Sequence, residues 1–139
     1  MSERNRALVR ALGPLALMAA IFYFSSQPSA EHYAWWEVFA RKLGHVTGYA
    51  LLTALWAWAL SGVVRRPLFW AVAISLAYAC TDEFHQTFVR GREGTPRDVA
   101  IDAIGMAIVV LWLRRSQLSP RPRGKVGAGE SAVRSSPAR

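Results

Sequence analysis

The sequence predicts an all-α protein, a four-span transmembrane helical bundle with a short interfacial helix before the second span. Four strongly apolar runs, near the length needed to cross a hydrocarbon core of roughly 30 Å, are separated by short polar segments. Lys and Arg collect in those separating segments and in the C-terminal stretch rather than inside the runs. Six Trp, four Tyr and six Phe supply aromatic side chains of the kind that anchor spans at headgroup level. A chain of 139 residues holds one domain, here about residues 1–116, leaving 117–139 as a tail.

The first span is expected over about residues 8–25, behind Arg4, Arg6 and Arg10. A basic start and a short apolar run also describe a cleaved signal peptide, but Pro28 falls where a clean small-x-small cleavage site would have to be. The span therefore reads as retained. Pro14 lies near its start, where a missing backbone donor is tolerated. Tyr33, Trp36, Ala40 and Leu43 recur at helical spacing, with Glu31, Glu37 and Arg41 elsewhere, which predicts the short helix lying at the interface and running into the next span. His32 in this connection reads as a solvated surface residue.

The second span covers about residues 43–60 and contains Gly44-x-x-x-Gly48, a spacing that permits close helix approach in lipid. A basic turn through Arg65, Arg66 and Pro67 leads to the third span, about residues 68–88. Ala71, Ser75 and Ala79 give that span a small-residue stripe, and Cys80, the single cysteine, reads as a small packing residue with no disulfide partner. Gly91, Gly94 and Pro96 break the following loop, and the fourth span runs over about residues 98–113 to Arg114 and Arg115. The Ser/Pro/Gly/Arg-rich stretch 117–139 has no periodicity and is expected to be a disordered basic cytoplasmic tail.

The formal net charge of +8 raises nucleic acid as a partner, but its distribution marks topology and anionic lipid instead. With four spans, the N-terminal segment, the Arg65–Arg66 turn and the tail share one side and hold 12 of the 17 Lys and Arg. The positive-inside rule then puts both termini in the cytoplasm.

Against this apolar background stands the segment Asp82-Glu83-Phe84-His85-Gln86, at a depth where an acid costs roughly 2.5–3.5 kcal/mol at the bilayer centre and less toward its edges. At 1.5 Å per residue, Asp82 lies about 21 Å beyond Leu68, in the outer leaflet. His45 lies about 5 Å inside the outer end of the second span, and Asp102 about 6 Å inside that of the fourth. Lys42, His45 and Tyr49 share one helical face, as do Tyr78, Asp82, His85 and Gln86, and as do Asp98, Asp102 and Gly105. Polar faces at equal depth are best buried against one another, which predicts a pocket open to the outside. Glu83 lies at the edge of its face and needs a further partner, and Arg90, Arg92 and Arg97 are near enough to offset the acids.

Three kinds of role follow for such a pocket. The polar groups can simply lock the bundle, although interhelical polar contacts average under about 1 kcal/mol in lipid. Asp98 alone also suits a helix N-terminus, and Lys42 can snorkel to the headgroups. They can bind an anionic lipid-linked or lipopeptide ligand, with membrane lipids as the other partners. Or they can catalyse, with His45, Asp82, Glu83 and Asp102 as acid–base groups or as ligands of a divalent metal. No His-Glu-x-x-His, Walker or nucleophile-elbow motif is present, so the sequence leans away from an enzyme and from a cofactor.

Phe22 to Pro28, the segment from Lys42 to Leu52 with its Lys-x-x-His-x-x-x-Tyr pattern, Asp82 to Phe88, Gly91-Arg92, and Asp98-x-x-x-Asp102-x-x-Gly105 together resemble the VanZ-like membrane proteins, named for the teicoplanin-resistance protein VanZ. The resemblance covers about residues 8–113 and departs from the family pattern at Asp102, where Asn is usual. It implies a multi-pass protein of a bacterial inner membrane, with a pocket at Lys42, His45, Asp82, Glu83, Gln86, Arg92, Asp98 and Asp102. It also implies a link to the cell envelope, as in glycopeptide resistance, without an assigned reaction.

The orientation is directly testable. A reporter active only in the cytoplasm, fused to the C terminus, is expected to be active, and silence there with activity of a periplasmic reporter reverses the assignment.

Overall fold

The computed structural model describes residues 3–28, 34–92 and 94–118. They form four α-helices: α1 (Glu3–Ser25), α2 (Trp35–Leu60), α3 (Pro67–Gln86) and α4 (Pro96–Leu118), with no strand among the described residues. Glu31, His32 and Tyr33, and the tail from residue 119 onward, lie outside the described residues.

Local chemistry explains most of the boundaries. α3 and α4 each start on a proline, whose fixed φ suits a first helical turn and whose missing N–H would have no partner there. The Glu37 carboxylate accepts the Ala34 N–H at 3.0 Å and so closes the start of α2. The expected interfacial helix and second span are one continuous α2. Nothing between Trp36 and Leu43 interrupts it, because that stretch holds neither Gly nor Pro. α1 likewise begins earlier than its apolar run, so Pro14 stands inside the helix rather than near its start. Its ring removes one backbone hydrogen bond there.

Successive helices run antiparallel, and α2 is the hub, in contact with all three others. α1 packs along α2, touches α3 lightly and makes no contact with α4 among the described residues. The apolar core is small. Tyr49, Leu52, Ala79 and Met106 form the buried cluster, with Leu17, Met18, Ile21 and Trp56 packed around it. The α3 stripe is buried as expected, since Ala71, Ser75 and Ala79 have no exposed surface. Cys80 is exposed on the outside of α3, one residue past that stripe, and does not pack inside.

The closest approach does not use Gly44. A Cβ on Gly44 would meet nothing within 4 Å, and one on Gly48 would meet only Ile21 of α1 at 3.7 Å. Gly105 is the tight point. A Cβ there would run into the backbone carbonyl of Val46, so α4 lies directly against the α2 backbone. Gly94 does the same for the α3–α4 loop, pressed against the carbonyl of Glu83.

The exterior is apolar. Phe22, Phe24, Leu43, Leu51, Phe69, Trp70, Phe84, Phe88, Ile104, Ile108 and Trp112 are all exposed, while Ser75, Asp82, Glu83, Gln86 and Asp102 are buried. In water, each large apolar side chain left outside forgoes about 1.5–3 kcal/mol of burial, so this polarity fits a surface covered by lipid. Leu8–Ser25 and α2 are long and apolar enough to cross a membrane.

Gly105→Ala is expected to destabilise the detergent-purified protein by about 1–3 kcal/mol, because a backbone carbonyl has no room to yield. Gly44→Ala is expected to be neutral, or stabilising by up to about 1 kcal/mol. Thermal unfolding of the two variants, side by side, measures both.

Candidate functional site

The site forms where α1 and α3 end and α2 and α4 begin. On α3, the register of the small-residue stripe continues into polar side chains. Ala71, Ser75 and Ala79 give way to Asp82, Glu83 and Gln86 on the same inward face. On α2 and α4 the equivalent positions are Lys42, His45 and Tyr49, and Asp98 and Asp102.

Two ion pairs join α2 to α4. Lys42 Nζ donates to Asp98 Oδ1 at 2.7 Å, and Thr95 Oγ1 donates to the other oxygen of Asp98 at 2.7 Å. One turn deeper, His45 Nδ1 lies 3.3 Å from Asp102 Oδ1 as an ion pair. Asp102 is 1% exposed, and neither of its carboxylate oxygens has a hydrogen-bond partner.

Asp82 belongs to a different junction. Its Oδ2 accepts Ser25 Oγ at 2.8 Å, Gln86 Nε2 at 3.1 Å and Tyr49 OH at 3.4 Å, so it ties α1, α2 and α3 together. Glu83 finds its further partner in the α3–α4 loop, where the backbone N–H of Thr95 donates to Oε2 at 3.2 Å. Gln86 Nε2 reaches its other oxygen at 3.4 Å. Arg92 folds back from the same loop onto the end of α1. Its Nη2 donates to the Phe24 carbonyl at 2.8 Å and its Nε to that of Gln27 at 3.0 Å, while Nη1 reaches Gln86 Oε1 at 3.4 Å.

These groups surround a cavity of about 660 Å³ lined by Lys42, His45, Glu83, Gln86, Arg92, Asp98 and Asp102, with Val38, Arg41, Gly91 and Ile101. A second hollow of about 300 Å³ lies between α1 and α2, lined by Leu17, Ala20, Ile21, Phe24, Gly44, Gly48 and Tyr49. Arg41, His45 and Arg92 line both spaces, so the polar cavity and the apolar groove are neighbours.

Seven of the eleven residues expected in the pocket line the cavity. Asp82 and Tyr49 stand just behind it, joined to each other and to Gln86. Tyr78 and His85 do not reach it. The Tyr78 hydroxyl donates to the Met18 carbonyl at 2.6 Å. His85 packs on the Phe22 ring at 4.6 Å between centroids, with Nε2 3.1 Å from Ser26 Oγ. Both sit on the side of α3 that faces α1, because the expected face was drawn too wide. Of the four proposed metal-ligating residues, His45, Glu83 and Asp102 have donor atoms within 4.8 Å of one another, and Asp82 is outside that set.

Sequence reasoning missed Ser25, Arg41, Thr95 and the apolar groove. Ser25 carried a signal, since a Ser-Ser-Gln run closing an apolar span is out of place unless it has a polar partner. Thr95 precedes a Pro-initiated helix, the usual setting of a capping residue. The groove had no signal, because it depends on where α1 leans.

Comparison with known proteins gives a membrane relative and a family. An uncharacterised membrane protein of Bacillus subtilis (strain 168), YwnJ, is 39% identical over 85 residues, which are 58% of this chain and 56% of that protein. The chain thus spans little more than half the length of that relative. No solved structure matches the chain. The model of the VanZ/LLP1 family matches residues 11–115, which takes in α2 and α3 whole, most of α1 and α4, the cavity and the groove, and the chain belongs to that family.

Proposed function

We propose that the protein is a four-span membrane protein that binds a lipid-linked component of the cell envelope, headgroup in the cavity and acyl or isoprenoid chain in the groove. The observation that carries this reading is the junction of the two spaces. A polar cavity of about 660 Å³ adjoins an apolar groove of about 300 Å³, and Arg41 and Arg92 stand where they meet. A lipid-linked molecule has the same order of parts: polar head, anionic phosphate linker, apolar tail. Guanidinium groups are well matched to the linker.

Exposed apolar side chains on α3 (Phe69, Trp70, Leu76, Phe84) and on α4 (Ile104, Ile108, Leu111, Trp112) support spanning by those two helices as well. The buried acids lower their average hydropathy, but those side chains face the bundle interior, where intramembrane ionisable groups are tolerated. The distribution of positive charge supports cytoplasmic termini, which would put the cavity on the outer side, toward wall precursors and lipopeptides. Resistance to a glycopeptide such as teicoplanin would follow if the bound component were the one that the antibiotic engages.

The reading is of binding rather than rigid locking. Locking is served by contacts such as Ser25 to Asp82, whereas Asp102 is buried with no hydrogen-bond donor on either oxygen, a costly arrangement for a group that serves only to lock the bundle.

The test uses detergent-purified protein and a phosphorylated polyisoprenoid lipid, with retention measured by native mass spectrometry. Gly44→Trp, which fills the groove, and His45→Ala, which opens its junction with the cavity, are each expected to weaken retention at least about tenfold, or about 1.4 kcal/mol. Equal retention by wild type and both variants defeats the reading. In cells, His45→Ala and Glu83→Ala are expected to shift glycopeptide susceptibility or envelope-lipid composition, and no change in either returns the residues to a structural role.

A further inference from the structure

The geometry points to a divalent transition-metal site, of the zinc or manganese class, formed by His45, Glu83 and Asp102 on the wall of the cavity. It deepens the binding reading, because it shares the cavity, but it does not require that a lipid-linked ligand occupy it.

Asp82, Glu83 and Asp102 are 2%, 5% and 1% exposed, three carboxylates buried within two helices of one another. Asp82 has three donors on Oδ2, from Ser25, Tyr49 and Gln86, although its Oδ1 is buried without one. Lys42 is committed to Asp98 at 2.7 Å. Arg41 and Arg92 line the same cavity, but the basic group set directly against Asp102 is the His45 imidazole, and neither Asp102 oxygen has a hydrogen-bond donor. An ionised carboxylate in that position is costly unless a cation is beside it.

Geometry selects the same three residues. Their donor atoms lie within 4.8 Å of one another, and His45 Nδ1 is 3.3 Å from Asp102 Oδ1. An ion about 2.0–2.2 Å from each donor requires donors about 3–3.5 Å apart. The His45–Asp102 pair already meets this spacing. Glu83 has a donor atom within 4.8 Å of both and would supply the third ligand by a small shift of its carboxylate on ion binding.

The donor set selects the ion. One imidazole nitrogen with two carboxylates suits zinc or manganese, whereas magnesium and calcium favour oxygen alone. Outer contacts are also in place. The Thr95 N–H and Gln86 Nε2 contact the Glu83 carboxylate at 3.2 and 3.4 Å, outer hydrogen bonds of the kind that support metal ligands. All three residues line the cavity, so a fourth position on the ion would face the ligand space, toward a phosphate or carboxylate oxygen.

The experiment strips the detergent-purified full chain with a chelator and titrates it with zinc or manganese alone. Wild type is expected to take up one ion per chain, by calorimetry and by elemental analysis after gel filtration. Asp102→Asn and His45→Gln, both near-isosteric, are each expected to weaken uptake at least about tenfold, in the range seen when metal sites lose a ligand or its support. Cys80→Ser, on the outer surface of α3, is expected to retain it. Elution as wild type and an unchanged helical circular dichroism spectrum show that a variant is folded. With manganese bound, nitrogen hyperfine coupling in electron spin resonance is expected in wild type and absent from His45→Gln. No uptake by wild type, or equal uptake by wild type, Asp102→Asn and His45→Gln, overturns the site. Lipid retention by chelator-stripped protein separates the two proposals, since retention without metal uptake removes only the metal, and metal uptake without retention removes only the lipid reading.

Discussion

The contact on which the rest of the site depends is the backbone approach of α4 to α2 at Gly105. Val46, whose carbonyl faces Gly105, follows His45 by one residue, and Gly105 follows Asp102 by one helical turn. Pressing those two backbones together therefore sets the His45–Asp102 separation at 3.3 Å and, one turn further out, allows Lys42 to reach Asp98 at 2.7 Å. A side chain at position 105 would hold the helices apart and open both pairs at once. The polar chemistry is thus fixed by an apolar, steric fact one turn away.

The third helix is tuned to the same geometry by two kinds of contact. Its small residues let it lie close along α2, and the polar residues that continue the stripe arrive inside the bundle without a change of register. Gly94 then brings the loop against the Glu83 carbonyl, so that the Thr95 N–H meets the Glu83 side chain. Backbone packing and carboxylate solvation are achieved by one turn of chain. Arg92, from the same loop, caps open carbonyls at the end of α1, where a helix has no intrahelical donor left.

The arrangement is asymmetric, and the asymmetry creates the groove. α1 packs on α2, touches α3 lightly and does not meet α4 among the described residues, so the surface between α1 and the cavity is only partly filled. Small residues at Gly44 and Gly48 leave space there that a larger side chain would occupy. Glycines spaced for helix approach thus serve here to line a hollow.

The sequence by itself determined the all-helical class, the four apolar segments, the inward-facing polar stripe on α3 and the grouping of Lys42, His45, Asp98 and Asp102 at one end. Each of these follows from periodicity and from the high cost of charge at membrane depth, which are local or nearly local. It did not determine which polar residues meet. Tyr78 and His85 share a helical face with Asp82, yet turn to Met18, Phe22 and Ser26, because a face some 100° wide can border two neighbours and only packing says which. Ser25 joining Asp82, Gly105 rather than Gly44 as the tight contact, and the separation of Asp82 from the His45–Glu83–Asp102 group were decided by tertiary structure alone. The physical reason is that each depends on the rotation and offset of one helix against another, distances of a few ångströms that sequence spacing along a single helix does not contain.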